Sequence, residues 1–153
     1  MGDCAGSPQF THVAHDDFRV VLNNLRGGER TTHGRLIPYC LFTDPELAHV
    51  GIRESEAASK KLNYRVAKSS MAFVPRTRTL SQTRGFMKAL ICPNDRILGF
   101  TVFGAEASEL MSAVQTAMLG DMPYSALRDA IFTHPTASEG LGVLFTHGMV
   151  ARD

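Results

Sequence analysis

The chain has 153 residues, 44% of them hydrophobic and 20% charged, and its 16 basic and 15 acidic side chains leave a formal charge of +1. A chain of this length can bury about 70% of the surface its unfolded form exposes, so a core can form without metal or disulfide staples. The balanced charge offers no field to attract a polyphosphate, which argues against nucleic acid; the apolar runs Val20-Val21-Leu22 and Met71-Ala72-Phe73-Val74 fall far short of the roughly 20 residues that span a bilayer.

Met1-Gly2-Asp3-Cys4 lacks the basic and apolar regions of a secretory leader, and a cytoplasmic location is expected. Thr11 to Leu25 carries apolar residues at 13, 14, 18, 21, 22 and 25, a helical rhythm with Thr11 as its expected N-cap. Gly27-Gly28 ends it, and the polar stretch Glu29 to Gly34 reads as a linker, giving one region over residues 1–34 and a domain over 35–153. Leu36 to Thr43 reads as a strand running into a turn at Thr43-Asp44-Pro45-Glu46. Arg53 to Leu62 has the composition of a helix. Tyr64 to Val74 reads as a strand closed by Pro75 and the basic stretch 76–79. Gly85 to Cys92 and Arg96 to Gly104 form an expected hairpin around Pro93-Asn94-Asp95. Ala105 to Leu119 is amphipathic through Leu110, Met111, Val114 and Met118 and stops at Gly120. Helices near Tyr124 to Ala130 and from Pro135 to His147 complete the chain. Strands joined by a tight hairpin, with helices gathered later, predict an α+β domain: an antiparallel sheet with helices packed on one face.

Cys4, Cys40 and Cys92 are odd in number and far apart, which suits reduced thiols rather than a disulfide framework. No cysteine or histidine spacing matches a zinc site. His12 and His15 share a helix face, which reads as a packed or solvated face rather than a metal clasp. Arg76, Arg78, Arg84 and Lys88 read as a solvated basic loop, and the methionines at 111, 118 and 122 as packing.

Chemistry concentrates at Thr133-His134-Pro135-Thr136-Ala137-Ser138-Glu139. Pro135 suits the first turn of a helix and keeps His134 out of it, on a loop. Glu139, about one turn in, can accept from one imidazole nitrogen and leave the other as an acid or base. The same pattern also suits a capping or core histidine. A weaker candidate is Gly2-Asp3-Cys4-Ala5-Gly6 ahead of the helix at Thr11, where two glycines let backbone approach a ligand and the carboxylate can accept from a hydroxyl.

Taken together, Gly2-Asp3-Cys4-Ala5-Gly6, Phe10-Thr11-His12-Val13-Ala14, Pro38-Tyr39-Cys40-Leu41-Phe42-Thr43-Asp44-Pro45-Glu46, Val50-Gly51, Gly99, Gly104 and His134-Pro135-Thr136 with Ser138-Glu139 resemble the C-terminal part of the pyridine nucleotide-disulfide oxidoreductases. This is the flavoprotein family of dihydrolipoamide dehydrogenase, glutathione reductase and the mercuric-reductase-like enzymes. The likeness runs from residue 2 to about 147.

The resemblance implies that residues 1–34 are the end of an FAD-binding domain with its linker and that 35–153 form the dimerisation domain of a homodimer. It implies contacts to FAD from Gly2, Asp3, Thr11, His12, Val13 and Ala14, with the positive end of the helix facing the isoalloxazine ring. It assigns His134 as acid-base partner of a dithiol in the opposite subunit, oriented by Glu139, and expects a cis His134-Pro135 bond. FAD and NAD(P) belong to the full-length parent, and the isolated stretch is expected to be inactive and to bind neither. The family's GxGxxG fingerprint and redox cysteine pair have no match here, and His134-Pro135-Thr136 points toward a disulfide or quinone-type electron acceptor rather than mercuric ion. A stand-alone, non-catalytic interaction module of the same fold is the other reading.

Overall fold

The computed structural model describes residues 1–150; the last three residues of the expected 35–153 domain lie outside the described residues. The chain divides into two compact units, residues 1–37 and residues from 38 onward.

In the first unit, a 3-10 turn (Gly2–Ala5) precedes helix α1 (Thr11–Leu25). Thr11 is the first helical residue rather than the cap. Phe10 occupies the cap position in extended conformation, with a side chain that cannot accept a capping bond. Apolar burial is slight, at Val13 and Val20, with the acid Asp17 buried beside them. The stretch read as a linker folds onto α1, because Arg30 pairs with Asp16 and Arg35 pairs with both Asp16 and Asp17.

The second unit is built on a six-stranded antiparallel sheet in the order β1-β2-β5-β4-β3-β6. The strands are β1 (Tyr39–Leu41), β2 (Glu46–Gly51), β3 (Arg65–Ser70), β4 (Phe86–Ile91), β5 (Ile97–Gly104) and β6 (Met149–Val150). The helices are α2 (Glu54–Ser59), α3 (Pro75–Thr79), α4 (Ala107–Leu119), α5 (Tyr124–Arg128) and α6 (Glu139–His147). The α+β class, the antiparallel sheet and the β4-β5 hairpin agree with the sequence reading.

Strand alternation explains the core. Ala48 and Val50 of β2 stand opposite Val102 and Phe100 of β5, which stand opposite Met87 and Ala89 of β4. All six are fully buried. Helix α4 covers the β2-β5 end of this face with Leu110, Met111 and Val114, and α6 packs against β3. On the opposite face Ala57 of α2 and Tyr64 cluster with Leu90, and His49 is buried beside the Tyr39 ring.

Several boundaries differ from the reading. The strand expected over 36–43 contracts to Tyr39–Leu41, and β2, for which the reading had no element, begins at Glu46 of the expected turn, with a cis Asp44-Pro45 bond between the two strands. Glu46-Leu47-Ala48 has little intrinsic strand bias; pairing on both sides makes it a strand. The strand expected to reach Val74 ends at Ser70, because the Ser70 side chain accepts from the Ala72 amide and opens a 3-10 turn at Met71–Phe73. The basic stretch after it is α3, started by Pro75 at its first turn. The last helix begins at Glu139, not Pro135.

Candidate active-site segment

The loop before α6 carries the candidate acid-base pair. His134 Nδ1 lies 3.0 Å from Glu139 Oε1, and the other carboxylate oxygen, Oε2, accepts from the Thr136 backbone N–H at 2.9 Å. The Thr136 hydroxyl donates to the Thr133 carbonyl at 2.7 Å, closing the loop on itself. The His134-Pro135 bond is cis. The Glu139 carboxylate reaches back from the first helical residue to the Thr136 N–H.

This geometry fixes a tautomer. A carboxylate only accepts, so Nδ1 carries the proton and Nε2 stays on the outer edge of the ring. The His134 side chain is 72% exposed against 22% for Glu139. The Thr136 N–H, and after it the His134 ring, hold the Glu139 carboxyl below the usual carboxylate range. An ionised carboxylate that orients one nitrogen and leaves the other presented outward can serve proton transfer.

The second candidate segment lies in the first unit. Asp3 is exposed on the 3-10 turn, which packs against α1. Of the first-turn residues, Val13 is buried and the amides of Val13 and Ala14 are bonded to the Phe10 carbonyl. Thr11 and His12 are exposed. The residues that sequence reasoning missed lie behind the turn. Asp17 Oδ2 accepts the Gly2 N–H at 2.9 Å while Oδ1 accepts from Arg35 Nη1 at 2.7 Å. Arg35 holds the Asp17 carboxyl below its ordinary range. The consecutive acids Asp16-Asp17 on a helix, followed by arginines past its end, were the available signal.

Other titratable groups read as structure. His49 is buried, with Nε2 3.0 Å from the Gly51 carbonyl and Nδ1 2.8 Å from the Thr101 hydroxyl. Burial pushes its imidazole down. Burial, with Glu46 nearby, pushes the Cys40 thiol up, which opposes thiolate chemistry. His12 stacks on Phe10 and His15 lies against Phe18. Among the described residues no group of three or more His, Cys, Asp or Glu could hold a metal ion, and no helix is long and apolar enough to cross a membrane.

Comparison with known proteins points one way. The family described as "Pyridine nucleotide-disulphide oxidoreductase, dimerisation domain" matches residues 37–144. The "Probable pyridine nucleotide-disulfide oxidoreductase RclA" of Escherichia coli K12 is 39% identical over 95% of this chain and 34% of its own length. A mercuric reductase of Shigella flexneri is 32% identical over 92% of this chain and 25% of its own. Among solved structures, the "HOCl-induced flavoprotein disulfide reductase RclA" of Escherichia coli superposes with a TM-score of 0.91, covering 96% of this chain and 34% of that one. The chain therefore spans about a third or less of these relatives.

Proposed function

Because the chain belongs to the pyridine nucleotide-disulfide oxidoreductase family, whose dimerisation domain it carries, we propose that it pairs with a second copy of itself and lends His134 and Glu139 to the partner's redox centre. The enzyme would be an FAD-dependent, NAD(P)H-driven oxidoreductase acting on a disulfide or quinone-type acceptor. Residues 1–34 would be the end of its FAD-binding domain, and its location the cytoplasm.

The observation that carries this reading is the Glu139–His134 hydrogen bond on an exposed loop. Thiol-disulfide exchange needs a thiolate, and a group that removes and returns the thiol proton speeds it. Glu139 keeps the Nδ1 proton in place and Nε2 turned outward. Nε2 would take the proton of a thiol presented by the other subunit as that sulfur attacks an acceptor disulfide, and would give the proton to the sulfur that leaves as thiolate when the S–S bond breaks.

The first unit fits a flavin. An exposed carboxylate at Asp3 stands on a turn packed against the α1 helix. Asp3 would accept from a ribityl hydroxyl, and Thr11 and His12 would present the positive end of the helix. Gly2, Val13 and Ala14 would shape the floor. When bound, the flavin supplies the hydride and electron transfer that these side chains do not.

The test joins this chain to the preceding two-thirds of Escherichia coli RclA, replacing the matching third, and follows NAD(P)H consumption with disulfide, quinone and mercuric acceptors. His134→Ala should cost roughly 100-fold or more in turnover, the scale of a general acid-base group, with the dimer intact by sedimentation. Glu139→Gln should cost less. Unchanged turnover in His134→Ala would reject the assignment and leave a non-catalytic pairing module.

A further inference from the structure

Residues 2, 7, 16, 17, 30 and 35 of the first unit converge on one charge network. Asp17 uses both carboxylate oxygens, one for the Gly2 N–H at 2.9 Å and one for Arg35 Nη1 at 2.7 Å. Arg35 Nη1 also reaches Asp16 at 3.2 Å, its Nη2 reaches the Ser7 hydroxyl at 3.4 Å, and Arg30 donates to Asp16 from the other side. Asp17 is 5% exposed and the Arg35 side chain 14%.

Stability alone is a poor reason for such a network. Desolvating an ion pair roughly cancels the attraction it gains. Arg35 Nε is moreover buried without a protein acceptor, an added cost. What the network does define is geometry. Gly2 has φ +72°, and a glycine there could swing through a wide range of conformations. Its N–H is one residue from the Asp3 carboxylate, so anchoring that N–H restricts where Asp3 can point.

We propose that Asp17 and Arg35 are positioning residues that clamp the Gly2-Asp3 turn onto α1, so that the Asp3 carboxylate is held for the hydroxyl-bearing chain of a flavin. Asp17 grips the turn directly. Arg35 fixes the Asp17 rotamer and ties the turn, through Ser7 and Asp16, to the segment leading out of the unit. The proposal rests on the reading of residues 2–14 as flavin-facing.

The joined flavoprotein described above tests it by flavin dissociation and by exchange of the Gly2 amide proton. Arg35→Met should raise the flavin dissociation constant at least tenfold and speed Gly2 exchange at least tenfold, with sedimentation and melting of the sheet unit unchanged. Arg35→Lys, which keeps a cation beside Asp17, should recover most of the flavin affinity. A flavin dissociation constant within twofold of the parent in Arg35→Met, while Asp3→Ala loses flavin, overturns the clamp alone. Full flavin retention in Asp3→Ala removes the flavin-facing reading and the clamp with it.

Discussion

The first 37 residues and the sheet unit that follows are held together by different forces. The first unit buries Val13 and Val20 and otherwise relies on Asp16, Asp17, Arg30 and Arg35. The second buries a continuous apolar layer from Ala48 and Val50 through Phe100, Val102, Met87 and Ala89, roofed by α4 and α6. Apolar burial is non-directional and scales with area, so it makes a robust unit. An ion network gives little net stability but is strict about direction. The second unit is suited to carrying an interface and a loop with a fixed histidine; the first is suited to aiming one turn.

The contrast can be broken at its strongest point in the sheet. Phe100→Ala removes the largest fully buried side chain of β5 and should cost about 3–5 kcal/mol, read as a lower denaturation midpoint. A loss under about 1 kcal/mol would mean that the layer does not carry the unit.

The sheet unit also carries directional contacts, and the one at the head of α4 sharpens the comparison. Glu46 on β2 accepts from the Ser108 backbone N–H at 3.0 Å and from its hydroxyl at 2.9 Å, serving the first turn of α4 from 62 residues away. Glu46→Ala should cost about 1 kcal/mol, the scale of a lost helix cap. Glu46→Gln, which keeps an acceptor, should cost less, and equal losses would argue against a capping role.

The smallest effect is confined to the first unit and follows from acid. Arg35 and the Gly2 N–H favour the ionised form of Asp17, so its folded value lies below the ordinary 3.8. Stability from this group is full above about 3.8 and is lost as pH falls through the lower folded value. Protection of the Gly2 amide should therefore hold from pH 6 to 5 and fall as the pH drops below about 3.8. Protection that stays flat through that window would show that the network does not hold the turn.

Local pattern made part of this legible. The rhythm Leu110, Met111, Val114 announces α4, the turn residues Pro93-Asn94-Asp95 announce the hairpin, and the order His134-Pro135 with Glu139 five residues on announces a histidine with a carboxylate in reach. What stayed hidden depends on partners far along the chain. Strand β2 exists because β1 and β5 flank it. His49 looked like any histidine, yet the Thr101 hydroxyl and the Gly51 carbonyl make it a satisfied buried one. Asp17 drew no reading from the sequence, and its bonds need residues 15 positions before it and 18 after. The Met149–Val150 strand is too short to signal itself and forms against β3.

The sequence by itself determined the α+β class, the antiparallel sheet, the ordered motifs of the oxidoreductase family and the spacing that lets Glu139 reach His134. These rest on propensities, turn chemistry and contacts a few residues apart, which are written locally. Tertiary structure alone decided which carboxylates became anchors: Glu46 at the head of α4 and Asp17 under the Gly2 turn. A carboxylate's role depends on which donors surround it, and those donors are brought together only when the chain has folded.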